Sequence, residues 1–249
     1  MSLDYERDGV RTRRIPRCPD CWLHATSCVC AELPRIRVAT RVLLVVHHVE
    51  LRRSSNTGRL LAQILGAEMR VRGTLAGRED AAARAAPAAA VAPVAAVAAV
   101  AAVAAVEPVP AGESVARVEG RRLVLFPAES ARVLSPEDAK AGPVTLVVPD
   151  GNWKQASRAL HRDEAAAGAE IVTLPPGPPS RYRLRRRTSE QGLCTFEAVV
   201  RALAILEGPA IEPPMMRALD LFVERTLALR GGIPAAGYDG DPGDGPAPP

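Results

Sequence analysis

Apolar residues along the chain fall into two patterns that take turns. Short unbroken runs rich in β-branched residues occur at Thr40–His48 (TRVLLVVHH), Arg121–Phe126 (RRLVLF), Val144–Val148 (VTLVV) and Ile171–Leu174, and they read as strands covered on both faces. Elsewhere apolar positions recur at helical spacing: within Leu60–Leu65, at Trp153, Ala156 and Leu160, at Phe196, Val199, Val200, Leu203 and Leu206, and at Met215, Leu219, Phe222 and Leu229 inside Pro213–Arg230. Strands that alternate with helices imply an α/β domain, a mostly parallel sheet flanked by helices.

The turns between these runs carry the polar residues of interest. Pro149-Asp150-Gly151-Asn152 joins a strand to a helix, with Gly151 free to take a positive φ and Asn152 suited to cap. Ligands of open α/β sheets bind where strands end and helices begin, so Asp150 and Trp153 stand where chemistry is done. The plainer account has Asp150 closing a turn and Trp153 filling core. At the first strand's end come His47, His48 and Glu50, then Arg52, Arg53 and Arg59 around Ser54-Ser55-Asn56-Thr57-Gly58, a composition that suits an anion at a helix start. Thr195 is the expected N-cap of the helix that follows Cys194, with Glu197 in its first turn.

Residues 81–111 break the pattern. They are Ala, Val and Pro with an Ala-Ala-Val repeat, and Ala88–Val106 holds nineteen residues without a charge. Pro93 interrupts that run, and a three-residue repeat sends its valines spiralling round a helix, so an insertion or linker is expected and not a membrane span. Residues 1–16 read as a flexible basic arm and 231–249, rich in Gly, Pro and Asp, as a disordered tail. The polar N-terminus places the chain in the cytoplasm, without an obligate protein partner in evidence.

Composition sharpens two points. Aromatics make up only 3%, so the core must rest on Val, Leu, Ile and Ala. The net charge of +4 comes from arginines clustered at 11–17, 52–59, 121–122 and 181–187, while acids are scattered, which favours a phosphate-rich partner. The densest cluster is Ser180-Arg-Tyr-Arg-Leu-Arg-Arg-Arg187. An extended chain would send Arg181, Arg183 and Arg185 to one side and leave Tyr182 to stack on a base; a solvated surface strand is the competing account.

Four of the five cysteines lie within thirteen positions, Cys18-x2-Cys21-x6-Cys28-x-Cys30. In a reducing compartment this spacing suits a tetrahedral zinc site stapling a segment, about residues 17–35, too small for its own core. An iron–sulfur cluster is the alternative. His24 lies inside the loop, but four sulfurs already complete a site.

Taken together the motifs resemble the DTW-domain family, tRNA-uridine aminocarboxypropyltransferases. The matching pieces are Cys18–Cys30, His47-x2-Glu50, Asn56-Thr57-Gly58, Phe126-Pro127, Asp150-Gly-Asn-Trp153 with Gln155-Ala156, Ser180-x-Tyr182-x-Leu-Arg185 and Cys194-Thr195-x-Glu197-Ala198, in family order over about residues 18–207. Two features depart from the family: Asn152 stands where Thr or Ser is usual, and the 81–111 insertion is foreign. The resemblance implies a catalytic domain over 36–230 with a SPOUT-like fold and its trefoil knot. It implies transfer of a 3-amino-3-carboxypropyl group from S-adenosylmethionine to N3 of a tRNA uridine, with release of methylthioadenosine. Asp150 would be the general base. Phe126, Pro127, Asp150, Gly151, Trp153, Cys194, Thr195 and Glu197 would cradle the cofactor. His47, Glu50, Arg53, Asn56, Thr57, Ser180, Arg181, Tyr182, Arg183 and Arg185 would meet the RNA. The rival readings are a SPOUT-like methyltransferase, an enzyme acting on ribosomal RNA, and a non-catalytic zinc-anchored RNA-binding module.

Overall fold

A computed structural model describes residues 5–7, 10–12, 16–73, 120–185 and 192–231. The expected insertion at 81–111 lies outside the described residues, as does all but Gly231 of the expected tail. Within the stretch read as a basic arm, Tyr5–Arg7 (β1) pairs antiparallel with Val10–Thr12 (β2).

A six-stranded sheet forms the centre, in the order β4-β3-β7-β5-β8-β6, and every pairing is parallel. Its strands are Arg41–His47 (β3), Glu68–Arg72 (β4), Arg121–Leu125 (β5), Arg132–Val133 (β6), Val144–Asp150 (β7) and Glu170–Thr173 (β8). The helices are Gly58–Leu65 (α1), Glu137–Lys140 (α2), Trp153–Arg162 (α3), Thr195–Glu207 (α4) and Glu212–Leu229 (α5). The apolar runs at β3, β5, β7 and β8 are the strands expected. The edge strands β4 and β6 are not legible as strands, because Glu68-Met-Arg-Val-Arg72 and Arg132-Val133 carry arginines at positions that need cover on one side only. No helix among the described residues is long and apolar enough to cross a membrane.

Alternation along the central strands divides the core in two. Val42, Leu44, Val46, Leu123, Leu125, Leu146 and Val148 face the larger cluster, filled by Leu60, Leu61 and Ile64 of α1, Phe196, Val199 and Leu203 of α4, and Met215, Leu219 and Phe222 of α5. Leu43, Val45, Val124 and Val147 face the other way, onto Ala156 and Ala159 of α3 with Ala165 and Ala166. Alanines let α3 lie close to the sheet, which is how a chain so poor in aromatics closes its second face.

The topology fixes where a site can form. From β3 the chain crosses by α1 to its outer neighbour β4, whereas from β7 it crosses by α3 to β8 on the opposite side. Crossovers of one hand running in opposite directions put their helices on opposite faces, as the two clusters show. Between β3 and β7 the strand order therefore reverses, and the loops leaving these two strands part to leave a crevice. Val46 pairs with Asp150 and His47 with Arg72, so these chain positions share one edge of the sheet.

Candidate functional site

Asp150, the last residue of β7, points to the larger core and sits on the floor of this crevice. It is only 6% exposed. Its Oδ2 accepts from Asn56 Nδ2 at 2.8 Å and its Oδ1 from the Thr195 hydroxyl at 2.6 Å. Burial pushes its carboxyl above the usual carboxylate range; the two hydrogen bonds pull the other way, the nearby Glu50 pushes up and Arg185 pulls down. Thr195 was the expected N-cap of α4. Cys194 takes that place instead, its N–H donating to Glu197 Oε2 at 3.0 Å, because the Thr195 hydroxyl is spent on Asp150.

Asn56 and Thr57 enter the site from the loop ahead of α1. Asn56 Oδ1 also accepts from Arg59 N at 3.2 Å, and Thr57 Oγ1 accepts from Phe196 N at 3.3 Å, so the loop is tied to the starts of both α1 and α4. Ser55 joins them: its carbonyl accepts the Tyr182 hydroxyl and its Oγ the Arg185 Nε at 3.0 Å. Glu50 is fully buried between Arg185 at 2.7 Å and Arg53 at 2.9 Å. Glu197 is buried too, and accepts from the Ser180 hydroxyl and from Arg181 N, each at 2.6 Å.

Around Asp150 these residues enclose a cleft of about 140 Å³, lined by Ser55, Asn56, Thr57, Gly151, Ser180, Tyr182, Arg185, Gly192, Leu193, Cys194 and Thr195. Burial holds the Cys194 thiol well above its ordinary range, so it lines the cleft as a neutral group.

Much of the expected site is thus assembled, with changes of role. Tyr182 is 7% exposed and bonded through its hydroxyl, so it is a strut of the cleft and not a ring offered to a base. The alternation at 181–184 holds, with Arg181 and Arg183 exposed and Tyr182 and Leu184 buried, but Arg185 leaves the row and turns inward to Glu50. Arg181 pairs with Asp220 of α5 at 2.5 Å, while Arg183 has no ion pair among the described residues. Trp153 does not fill core: it is 64% exposed, its ring 5.0 Å from that of Phe126, and neither ring lines the cleft. Pro127 beside them is exposed.

The turn after Asp150 confirms Asn152 as cap. Its Oδ1 accepts from Gln155 N at 3.0 Å and Gln155 Oε1 accepts from Asn152 N at 2.8 Å, a reciprocal box. Gly151 is not at positive φ; the reason for glycine is that a Cβ there would stand 2.9 Å from the Cβ of Gln155. Gln155 Nε2 also reaches His47 Nδ1 at 3.3 Å. Burial and the neighbouring His48 depress the His47 pKa, which keeps the ring neutral and its Nδ1 an acceptor for Val49 N.

Three residues named in the anion-suited segment have roles that the sequence does not reveal. Ser55 looks like one of two equivalent serines, Gly58 like any helix-starting glycine, and Arg59 like part of a basic cluster. Arg59 in fact donates to Pro19 O at 2.9 Å and Leu51 O at 2.8 Å, with its guanidinium 4.9 Å from the Trp22 ring centre. Trp22 Nε1 donates to Arg52 O at 2.9 Å. The site loop is thereby tied to the cysteine segment.

In that segment the sulfurs of Cys18, Cys21, Cys28 and Cys30 all lie within 4.8 Å of one another. Measured pairs stand at 3.4 Å (Cys28–Cys18), 3.7 Å (Cys18–Cys30) and 3.8 Å (Cys21–Cys28). Disulfides require about 2.05 Å. Four thiolates at about 2.3 Å from one tetrahedral ion stand roughly 3.8 Å apart, so the donor set fits a single ion. A [4Fe–4S] cluster binds each sulfur to a different iron and a [2Fe–2S] cluster two to each of its irons, and either would spread the four sulfurs wider. His24 is not part of the group.

Comparison with known proteins gives relatives and a family. Over 106 residues the chain is 34% identical to tRNA-uridine aminocarboxypropyltransferase 2 of Drosophila melanogaster, covering 42% of this chain and 42% of that protein. Proteins of the same name from Macaca fascicularis and Mus musculus are 25% identical over 200 residues and 26% over 212, covering 78% and 83% of this chain. The matches span only 58% and 62% of the length of those two relatives. No solved structure matches. The DTW domain matches residues 15–227, a range that takes in the cysteine group, Asp150 and the whole cleft, and the chain belongs to the DTW domain family.

Proposed function

We propose that this protein transfers the 3-amino-3-carboxypropyl group of S-adenosylmethionine to N3 of a uridine in tRNA and releases methylthioadenosine. The observation that carries the reading is Asp150: a buried carboxylate at the strand-order reversal, fixed from two sides and held above the usual carboxylate range. Uridine N3 bears an imide proton and becomes nucleophilic once that proton is lost. An ordinary Asp is a weak base for it, and a raised pKa brings the carboxylate closer to the task. As the N3–C bond forms, the C–S bond breaks, its electron pair returns to sulfur, and the imide proton passes to Asp150. The names of the relatives support aminocarboxypropyl transfer to a tRNA uridine.

The remaining residues divide by position. Asn56 and Thr195 hold Asp150; Glu197 holds Ser180 and the start of α4. Gly151, Cys194 and Thr195 form the donor's surroundings. The exposed Trp153, backed by Phe126, is free to stack on a ring of donor or target. Arg181 and Arg183 face outward toward RNA phosphates. Cys18, Cys21, Cys28 and Cys30 would hold a structural zinc, which shapes the site loop through Arg59 and takes no part in transfer. The reading carries the SPOUT-like trefoil knot with it.

Two samples of S-adenosylmethionine test the reaction, one labelled in the methyl and one in the carboxyl carbon. The carboxyl label alone is expected in tRNA. Methyl label in the RNA would make this a methyltransferase, and neither label in any uridine-containing RNA would leave a binding module.

A further inference from the structure

The cleft beside Asp150 holds a second charge that the base does not use. Among the described residues Arg185 is its one cationic lining residue, as Asp150 is its one acid. Two of the three guanidinium nitrogens are tethered, Nε to Ser55 Oγ at 3.0 Å and Nη2 to Glu50 Oε2 at 2.7 Å. Nη1 has no partner among the described residues. Glu50 is shared between Arg185 and Arg53, which pairs with it at 2.9 Å. The backbone that delivers Arg185 is pinned by Tyr182 on Ser55 O and by the buried Leu184. A guanidinium fixed at two corners in the lining of a small cleft is preorganised for a carboxylate.

The size of the cleft narrows the choice of ligand. About 140 Å³ is well below the roughly 300–1,000 Å³ of pockets that take a whole drug-sized molecule. The space beside Arg185 and Asp150 suits a short chain end. We infer that Arg185 anchors the carboxylate of the donor's amino-acid end, so that the aminocarboxypropyl chain lies in the cleft against Asp150. The inference rests on the proposed reaction and deepens it. A carboxylate held at Arg185 sets the chain's sulfur-bound carbon, and not the methyl, beside the base and the incoming N3. One sulfonium serves two possible transfers, and this anchor selects between them. Arg185 thereby leaves the RNA-contacting row in which its sequence places it.

Calorimetry on the full chain tests this with two probes, S-adenosylmethionine and its decarboxylated analogue. A charge-assisted contact predicts that the wild type binds the analogue about 10- to 100-fold more weakly. Arg185→Gln should bind both alike, at the analogue's level, and Arg185→Lys should recover part of the preference. If Arg185→Gln fails to fold, the reduced preference expected of Arg185→Lys takes its place, and an undiminished preference in Arg185→Lys overturns the assignment. Equal wild-type affinities overturn the anchor while leaving the transfer reaction standing. No binding of either probe overturns both. A wild-type preference that survives in folded Arg185→Gln, together with weakened tRNA binding, returns Arg185 to a phosphate of the RNA and overturns the assignment.

Discussion

A Cβ placed on Gly58 would stand 2.8 Å from Asp150 Oδ2, closer than real Cβ atoms approach. The first residue of α1 therefore meets the buried carboxylate with bare backbone, and it does so while Asn56, two residues earlier, donates to the same oxygen. Any side chain at position 58 must displace either the helix start or the carboxylate.

Gly58→Ala consequently has an expected sign opposite to the usual one. In an open helix the change gains about 0.5–1 kcal/mol. Here the clash should cost about 1–3 kcal/mol, as overpacking does, and lower activity by displacing Asp150. A melting curve with a turnover assay checks it, and a stabilised, fully active variant would show that the contact is relaxed in solution.

How much of this was legible in the sequence follows from which residues act locally. The central strands announce themselves because burial on both faces demands unbroken Val and Leu runs. Asn152 is readable as a cap because it bonds only three residues away, to Gln155. Thr195 misled for the opposite reason: its partner, Asp150, is remote in sequence and outcompetes the local helix end. Alternation assigned Arg185 outward with Arg181 and Arg183 and left Tyr182 to stack on a base, and no local pattern reveals Ser55 or Glu50 as their partners. The site's residue types were readable, while its buried network, which joins the segment between β3 and α1 to β7, the 180–185 segment and α4, required the fold.

Loss of the metal should reach the site through Arg59 and Trp22. Protein purified without added metal is expected to hold about one zinc per chain. Cys30→Ser should cost on the order of 3 kcal/mol, a fall in melting temperature of about 6–12 °C, and weaken donor binding because the loop bearing Ser55 and Asn56 loses its support. Full retention of donor affinity in a metal-free, folded sample would separate the two parts.

The outward arginines should differ from each other. Arg183 is exposed without an ion pair among the described residues, whereas Arg181 is engaged by Asp220. Arg183→Ala should weaken tRNA binding and reduce the slope of log affinity against log salt by about 1. Arg181→Ala should do less, and donor affinity should change in neither. Identical salt slopes in wild type and Arg183→Ala would make this run a solvated surface.

The pH profile ties the mechanism to one residue. Asp150 must be ionised to accept the N3 proton, and its pKa is raised in the fold, chiefly by burial. Activity should therefore rise with pH through a value above the usual carboxylate range. Removing a donor that favours the ionised form raises that value further: Thr195→Val, nearly isosteric, should move the acidic limb to higher pH without abolishing turnover. Stability runs the other way. A carboxyl whose folded pKa exceeds its unfolded one binds its proton more tightly when folded. Its contribution to stability is then full below the unfolded pKa and is lost as pH rises through the folded one. Ionised Asp150 is thus held at a cost to the fold, and Asp150→Asn should change stability by no more than about 1 kcal/mol while losing most transfer. Measuring turnover against pH for wild type, Thr195→Val and Asp150→Asn, with melting curves alongside, separates the roles. A limb that stays in place when Thr195 is changed would assign the titration to another group. Undiminished transfer by Asp150→Asn would move the base elsewhere, and His47, held neutral beside Gln155, would be the next residue to replace.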